Sequence, residues 1–406
     1  VVIFLERIIF HIDVNSAFLS WSAVEQLKKN PDCIDLRTIP SIIGGDQESR
    51  HGIVLAKSIP AKKYHIRTGE PIAQALRKCP TLVIEPPSHT LYSEYSKQLF
   101  ALLADYTPDI EKLSIDEGFI DFTPIAHRYS SPVYAAVMIK DKIYEELGFT
   151  VNIGISSNKI LAKMASDFKK PNLVHTLFPY EMKEKMWSLP VSELYMAGQS
   201  SVKTLNNLGI HTIGELAATS PKLIALHLKS HGHLLWQYAN GIDDSPVMTL
   251  QSELKGIGNS TTLSFDATTK EEINHVLLSL AEQVSKRLRA SSQLAGLVSV
   301  EIKYNDFSTV SHQMQLTAPA NTTDQIYKIA CILIMELWNH NPVRLLGIRT
   351  SKLTHEDEPV QLTLFGSEIN AKQLKAEKAI DSIKNKFGSG AVVRGSFLNH
   401  KNSTQK

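Results

Sequence analysis

The sequence predicts an α+β fold spread over several domains. Three observations carry that prediction. The chain has 406 residues, too many for one ordinary core, which sets an expectation of roughly two to four domains. Short apolar runs of strand length alternate with segments whose apolar residues recur every three to four positions. The order strand, helix, hairpin, helix, strand arises in the first half, a split βαβ pattern, and strand, helix, strand, strand, helix, strand arises in the second.

Residues 8–13 read as a buried strand, followed by a helix over 16–28 that "NPDC" interrupts. Residues 39–44 and 52–57 read as short strands around "GGDQESRHG". Residues 90–106 form an amphipathic helix, with Tyr92, Tyr95, Leu99, Leu102 and Tyr106 on one stripe. A hairpin follows at 110–122, with Asp116, Glu117 and Gly118 at or beside its turn. A helix over 131–147 leads to the strand "FTVNIGIS" and the helix "NKILAKMASDF", which Pro171 is expected to stop. Residues 180–243 read as all helical. Gly198 and Gly209 mark two turns there, in "LYMAGQSSVKTLNNLGIHTIGELA", a helix–hairpin–helix pattern whose turn amides suit DNA phosphates. In the second mixed unit, strands at 257–264, 297–304, 309–317 and 343–351 enclose helices at 270–291 and 323–339. Val298, Val300, Ile302 and Tyr304 alternate inward against Ser299, Glu301 and Lys303. "HEDEP" marks a flexible join before "VQLTLFG" and a polar tail.

Composition narrows the function classes. With 43% hydrophobic and 21% charged residues the chain matches soluble globular proteins. A net charge of only +2 means that any nucleic-acid contact must come from local patches. Three widely spaced cysteines without a CxxC pair argue against a disulfide framework or zinc site and for a reducing cytoplasm. The opening "VVIFLERIIF" carries Glu6 and Arg7 and lacks a cleavage site, so no signal peptide is read, and no apolar run is long enough to span a membrane.

The chemistry concentrates in three acids. Asp13 ends the first strand in "IIFHIDVNSAF", and Asp116 and Glu117 lie in "KLSIDEGFIDF". Two strand ends that bring three carboxylates together make an oxygen ligand set for hard divalent cations. Two such cations side by side can stabilise the attacking and leaving oxygens of a phosphoryl transfer.

Six segments, "HIDVNSAF", "AKSIPAKKYHIRTGEP", "SIDEGFIDF", "NIGISSNKILAKMASDFKKPN", "PVRLLGIRTS" and "QLTLF", together resemble the Y-family DNA polymerases, in particular the DinB or DNA polymerase IV branch, over nearly the whole chain. The resemblance implies a right-hand-like arrangement: a palm at 1–29 and 89–177, small fingers at 30–88, a helix–hairpin–helix thumb at 178–243, a linker at 244–254, a βαββαβ little finger at 255–355, and a tail at 356–406 with a clamp-binding motif. It implies template-directed DNA synthesis of low fidelity, in translesion synthesis and damage tolerance, without proofreading. It also implies two Mg²⁺ ions, with Mn²⁺ fitting the same oxygen shell.

Residue by residue, the resemblance makes Asp13, Asp116 and Glu117 the catalytic acids, with the Val14 carbonyl as a further ligand. Phe18 takes the place of the steric gate against a 2′-hydroxyl, and the Ala17 and Phe18 amides meet the triphosphate at a helix start. Ala56 and Ser58 lie where fingers cover the nascent base pair. Lys62 and Lys159 take the phosphate-binding places, whereas Lys63 reads as a surface charge. Ile59 and Lys62 depart from the family's usual Tyr and Arg, and a lysine offers a point charge rather than a bidentate fork. Lys286, Arg287, Arg289, Lys303 and Arg344 are candidate DNA contacts of the little finger, beside Gly198 and Gly209 of the thumb. Gln361, Leu362, Thr363, Leu364 and Phe365 resemble a peptide ligand of a sliding clamp, a tether that raises local concentration. The implied partners are primer–template DNA, dNTPs and the clamp, for a monomer free of membrane. Two other readings stand beside this one: a nucleotidyl cyclase-like palm enzyme and a non-catalytic clamp-bound DNA scaffold.

Overall fold

The computed structural model describes residues 7–45, 52–249, 254–358, 371–388 and 390–395. They fall into two units, one ending before residue 252 and one beginning there. QLTLF at 361–365 lies outside the described residues.

In the first unit the run expected as a buried strand is β1 (Ile9–Val14), which takes the centre of a five-stranded sheet in the order β5-β6-β1-β7-β8. Its neighbours are β6 (Glu117–Asp121) and β7 (Val151–Ser156), both antiparallel to it, with β5 (Ile110–Lys112) and β8 (Val174–Thr176) at the edges. Alternation splits β1 between two faces. Phe10, Ile12 and Val14 enter a core with α1 (Ala17–Lys29), α4 (His89–Ala104) and α5 (Pro132–Leu147). Ile9 packs with Phe119 and Ala162 on the opposite face, under α6 (Lys159–Ser166). The α4 stripe is as expected: Tyr92, Tyr95, Leu99 and Leu102 are buried, and Tyr106 packs against the same core.

Local signals set the helix ends. Ser131 caps α5 by accepting from Tyr134 N, Pro132 opens it, and Gly148 at φ 79 closes it. Asn158 caps α6 through Leu161 N at 2.9 Å. Such caps contribute about 1 kcal/mol each. α6 ends at Ser166, ahead of the stop expected at Pro171, because the Asn152 side chain takes the Ser166 and Lys169 carbonyls into a loop. Gly154 lets α6 approach: a Cβ there would lie 1.9 Å from the Ala162 carbonyl oxygen.

Residues 30–88 carry β2 (Ser41–Gly44), β3 (Val54–Lys57) and β4 (Val83–Glu85) in the order β3-β2-β4, with α2 (Ile59–Lys62) and α3 (Ile72–Lys78). Arg37 fastens this segment to the end of α5, holding Asp35 and donating to the Gly148 carbonyl at 2.8 Å. The helical segment contains α7 (Met182–Lys185), α8 (Gln199–Asn207), α9 (Ile213–Ala218) and α10 (Pro221–Ala239) over an apolar cluster that it shares with Ile160, Leu161, Met164 and Ala165 of α6 and with Leu177.

The second unit is a four-stranded antiparallel sheet in the order β11-β10-β12-β9, from β9 (Gly256–Ala267), β10 (Gln293–Tyr304), β11 (Thr309–Ala320) and β12 (Val343–His355). Val298, Val300, Ile302 and Tyr304 are buried against α11 (Lys270–Ala290) and α12 (Thr323–Leu337), as the alternation requires. The expected polar tail is corrected in part: residues 371–387 form a helix, α13 (Ala371–Phe387). α13 docks through polar groups, with Glu377 buried and accepting from Thr323 N at 3.0 Å, so no apolar stripe announces it.

Candidate active site

The ladder places the backbones of the three acids side by side. Asp13 pairs with Glu117 across β1 and β6, and Val14 N donates to the Asp116 carbonyl at 3.1 Å. Paired residues share a face, so Asp13 and Glu117 both leave the sheet toward α6 and the loop after it. Asp116 sits on the turn just before β6, where Ser114 Oγ donates to its Oδ1 at 2.6 Å.

Each neighbouring acid has a lysine. Lys170 Nζ lies 2.5 Å from Asp13 Oδ2. Lys163, buried in α6, ion-pairs with Glu117 Oε2, and His11 Nε2 faces the same oxygen at 3.3 Å. Burial pushes the Asp13 carboxyl above its ordinary value, and the Lys170 charge offsets part of that. Burial also pushes Glu117 upward, but hydrogen bonds from His11 and Lys163 outweigh it and hold the carboxyl at about 2. Burial lowers His11 below its ordinary value.

A cavity of about 690 Å³ opens beside this cluster, and Asp13, Phe18, Ala56, Lys62, Asp116 and Lys170 are among its lining residues. Val14, Ala17 and Ile59 line it too. Phe18 stacks on buried Tyr92, with ring centroids 4.3 Å apart and planes 7° apart, so its ring is a backed wall rather than a loose side chain. At the start of α1, Ser16 adopts φ 50, and the Ala17 and Phe18 amides have no acceptor among the described residues.

Several expectations are corrected. Lys159 does not line this cavity: both Glu111 oxygens bind it, at 2.7 and 2.8 Å, over the Phe119 ring. The lysine of this motif that lines the cavity, beside Lys57 and Lys62 from the 30–88 segment, is Lys170, which nothing in the local sequence distinguishes from Lys169. Ser58 lines the cavity beside Ala56 but is only 2% exposed, and its hydroxyl is engaged inside the protein, accepting from Ala61 N and Ser41 N and donating to the Ile39 carbonyl. Arg289 is no free DNA contact: its side chain is 5% exposed and ion-pairs with Glu377 and Asp381 of α13. Its acids lie far along the chain, so no local pattern marks them.

Among the other candidates, Arg287 donates to the Gly258 carbonyl and Arg344 lies over the Phe307 ring. Lys286 and Lys303 are half-buried. The sheet face opposite the helices forms a shallow hollow of about 780 Å³ lined by Ser260, Ser299, Glu301, Gln313 and Arg349. Arg349, opposite Ser299, was missed, although continuing the strand alternation would have found it. Gly209, at φ 77, turns the chain between α8 and α9, but Glu215 takes the His211 and Thr212 amides there, so those amides are spent inside the protein. At Gly198, by contrast, the Gln199, Ser200 and Ser201 amides have no backbone acceptor among the described residues.

The donor set suits a divalent cation held by oxygen: three carboxylates and the Val14 carbonyl at one sheet end, with no thiolate or imidazole required. Among the described residues no three such side chains already converge as a cluster, because Asp13, Asp116 and Glu117 turn to Lys170, Ser114 and Lys163.

Comparisons with known proteins show the family and the fold. Residues 12–167 match the impB/mucB/samB family and residues 254–364 its C-terminal domain. A DNA polymerase IV of Clostridium acetobutylicum is 45% identical over 97% of this chain and 99% of its own. One from Acetivibrio thermocellus is 36% identical over 97% of this chain and 98% of its own. A solved Y-family DNA polymerase chimera of Dbh and Dpo4 superposes with a TM-score of 0.74 at 23% identity, over 86% of this chain and 99% of that one, a likeness of fold.

Proposed function

The chain belongs to the impB/mucB/samB family and is a DNA-directed DNA polymerase of the Y family, and we propose that it serves low-fidelity translesion synthesis by two-metal nucleotidyl transfer. The observation that carries the mechanism is the Asp13–Glu117 register, with Asp13 and Asp116 lining one cavity. We assign residues 1–29 and 89–177 as palm, 30–88 as fingers, 178–243 as thumb and 255–355 as little finger.

In the reaction the primer 3′-hydroxyl attacks the α-phosphorus of a dNTP in line, and the bond to pyrophosphate breaks. Asp13, Asp116, Glu117 and the Val14 carbonyl would hold Mg²⁺, or Mn²⁺ in the same shell. The bound cations supply charge stabilisation at the attacking and leaving oxygens. Lys163 and His11 orient Glu117. Lys62 and Lys170, with the Ala17 and Phe18 amides, take the triphosphate, and Phe18 on Tyr92 excludes a 2′-hydroxyl. Ala56, small and cavity-lining, leaves room over the nascent base pair, which suits tolerance of damaged templates. In the little finger, Arg349 and Lys303 on the open sheet face replace Arg289 as phosphate contacts. Gln361–Phe365 would tether the enzyme to a sliding clamp.

Primer extension with purified protein on undamaged and abasic templates tests this. Activity on both is expected, and Asp116→Ala or Glu117→Ala should lower it roughly a thousandfold, a loss of about 4 kcal/mol of transition-state stabilisation. Either variant retaining full activity would remove the assigned site. Among the described residues no helix is long and apolar enough to cross a membrane.

A further inference from the structure

Lys170 reaches the cavity from the loop between α6 and β8, and two asparagine side chains hold that loop. Asn152, fully buried in β7, donates through Nδ2 to the carbonyls of Ser166 at 3.2 Å and Lys169 at 2.9 Å. Its Oδ1 accepts from Leu173 N at 3.3 Å and from Asn15 Nδ2 at 3.2 Å. Asn15, two residues beyond Asp13, accepts from Asn172 N at 2.9 Å. Its own backbone is pinned on both sides, by the Thr150 carbonyl at 3.0 Å and by Ser20 Oγ at 2.6 Å. The loop is therefore fastened just before Lys170, at Lys169, and just after it, at Asn172. The first fastening leads to β7 and the second to Asn15, directly after β1, the strand that carries Asp13.

This exhausts the hydrogen-bonding capacity of the Asn152 amide: two donors and two lone pairs, all used. Loop closure alone does not require such a set, since a surface loop can solvate its own carbonyls. A lysine side chain carries about 2 kcal/mol of rotamer entropy. Fixing the backbone beneath it leaves only the side chain to be ordered when a phosphate arrives.

We infer that Asn15 and Asn152 are positioning residues of the polymerase reaction, which act on nucleotide binding through Lys170. The inference rests on Lys170 being a triphosphate ligand, as proposed above. It also accounts for the polar Asn15 at a buried site beside Asp13, where a small apolar residue would pack without leaving a partner requirement.

A double-mutant cycle between Asn152→Ala and Lys170→Ala tests it. The readouts are equilibrium binding of the complementary dNTP on a dideoxy-terminated primer–template, and the split of KM against kcat on an extendable one. Lys170→Ala is expected to weaken dNTP binding roughly tenfold or more, and Asn152→Ala about fivefold, with primer–template affinity unchanged. In the Lys170→Ala background, Asn152→Ala should change dNTP binding less than about twofold, because coupled residues are not additive. The same factor with and without Lys170, or no effect of Asn152→Ala on dNTP binding, overturns the inference. An unaffected Lys170→Ala variant instead removes the lysine's phosphate role itself. Should thermal melting show that Asn152→Ala does not fold, the cycle is run with Asn15→Ala, with the same outcomes expected and excluded.

Discussion

Asp13 lies directly opposite Glu117 in the β1–β6 ladder, so both carboxylates leave the sheet on the face that α6 and its following loop cover. This one register explains why each acid has a lysine: Lys163 comes from α6 itself and Lys170 from the loop that follows it. A slip of one residue would turn one acid to the opposite face, into the core with Tyr92 and Ile139.

Gly154 is what allows α6 to lie that close. Gly154→Ala would place a methyl on the Ala162 carbonyl and the Ser166 amide, backbone atoms with no rotamer to move. Overpacking of this kind costs about 3 kcal/mol. Thermal denaturation should show a clearly lower midpoint, and polymerase activity should fall with it as Lys163 shifts from Glu117. An unchanged midpoint would mean that helix and strand can separate freely.

Phe18 is predicted to set sugar selectivity. Its ring is backed by Tyr92 and lines the cavity, so Phe18→Ala opens space without unfolding the helix start. Ribonucleotide incorporation relative to deoxyribonucleotide should rise roughly 10- to 100-fold, the range that a steric pocket commands. Competition assays with matched rNTP and dNTP measure it, and an unaltered ratio would discard the gate.

Arg289 and Arg349 are predicted to separate stability from DNA contact. Arg289→Ala takes the guanidinium from Asp381 and from buried Glu377, which keeps Thr323 and the more distant Arg394, a loss of roughly 3 kcal/mol, while the salt dependence of DNA binding stays as it was. Arg349→Ala, on the open sheet face, should leave the melting temperature within about a degree of the parent and reduce the salt slope by roughly one. The reverse pattern would restore Arg289 to the DNA surface.

Deleting 361–365 should abolish most stimulation by a sliding clamp while basal extension survives, since a tether adds local concentration and no chemistry. Equal loss of clamp-dependent and basal synthesis would show that the peptide is part of the fold.

What the sequence determined by itself is whatever a short period or a local cap can encode. The alternation in 297–304 sorted Val298, Val300 and Ile302 from Ser299, Glu301 and Lys303, and the stripe Tyr92–Tyr95–Leu99–Leu102 marked α4. The order of elements and the motifs sufficed for the fold class and the family. Partners in space carry no such period. Whether Lys159 or Lys170 faces the cavity depends on where Glu111 lies across the sheet, and Arg289 is claimed by acids 88 and 92 positions away. The helix at 371–387 docks through charges rather than an apolar stripe. Only the tertiary structure decides such matters, because an ion pair is set by the distance between folded elements, whereas strand and helix patterns are set by neighbours along the chain.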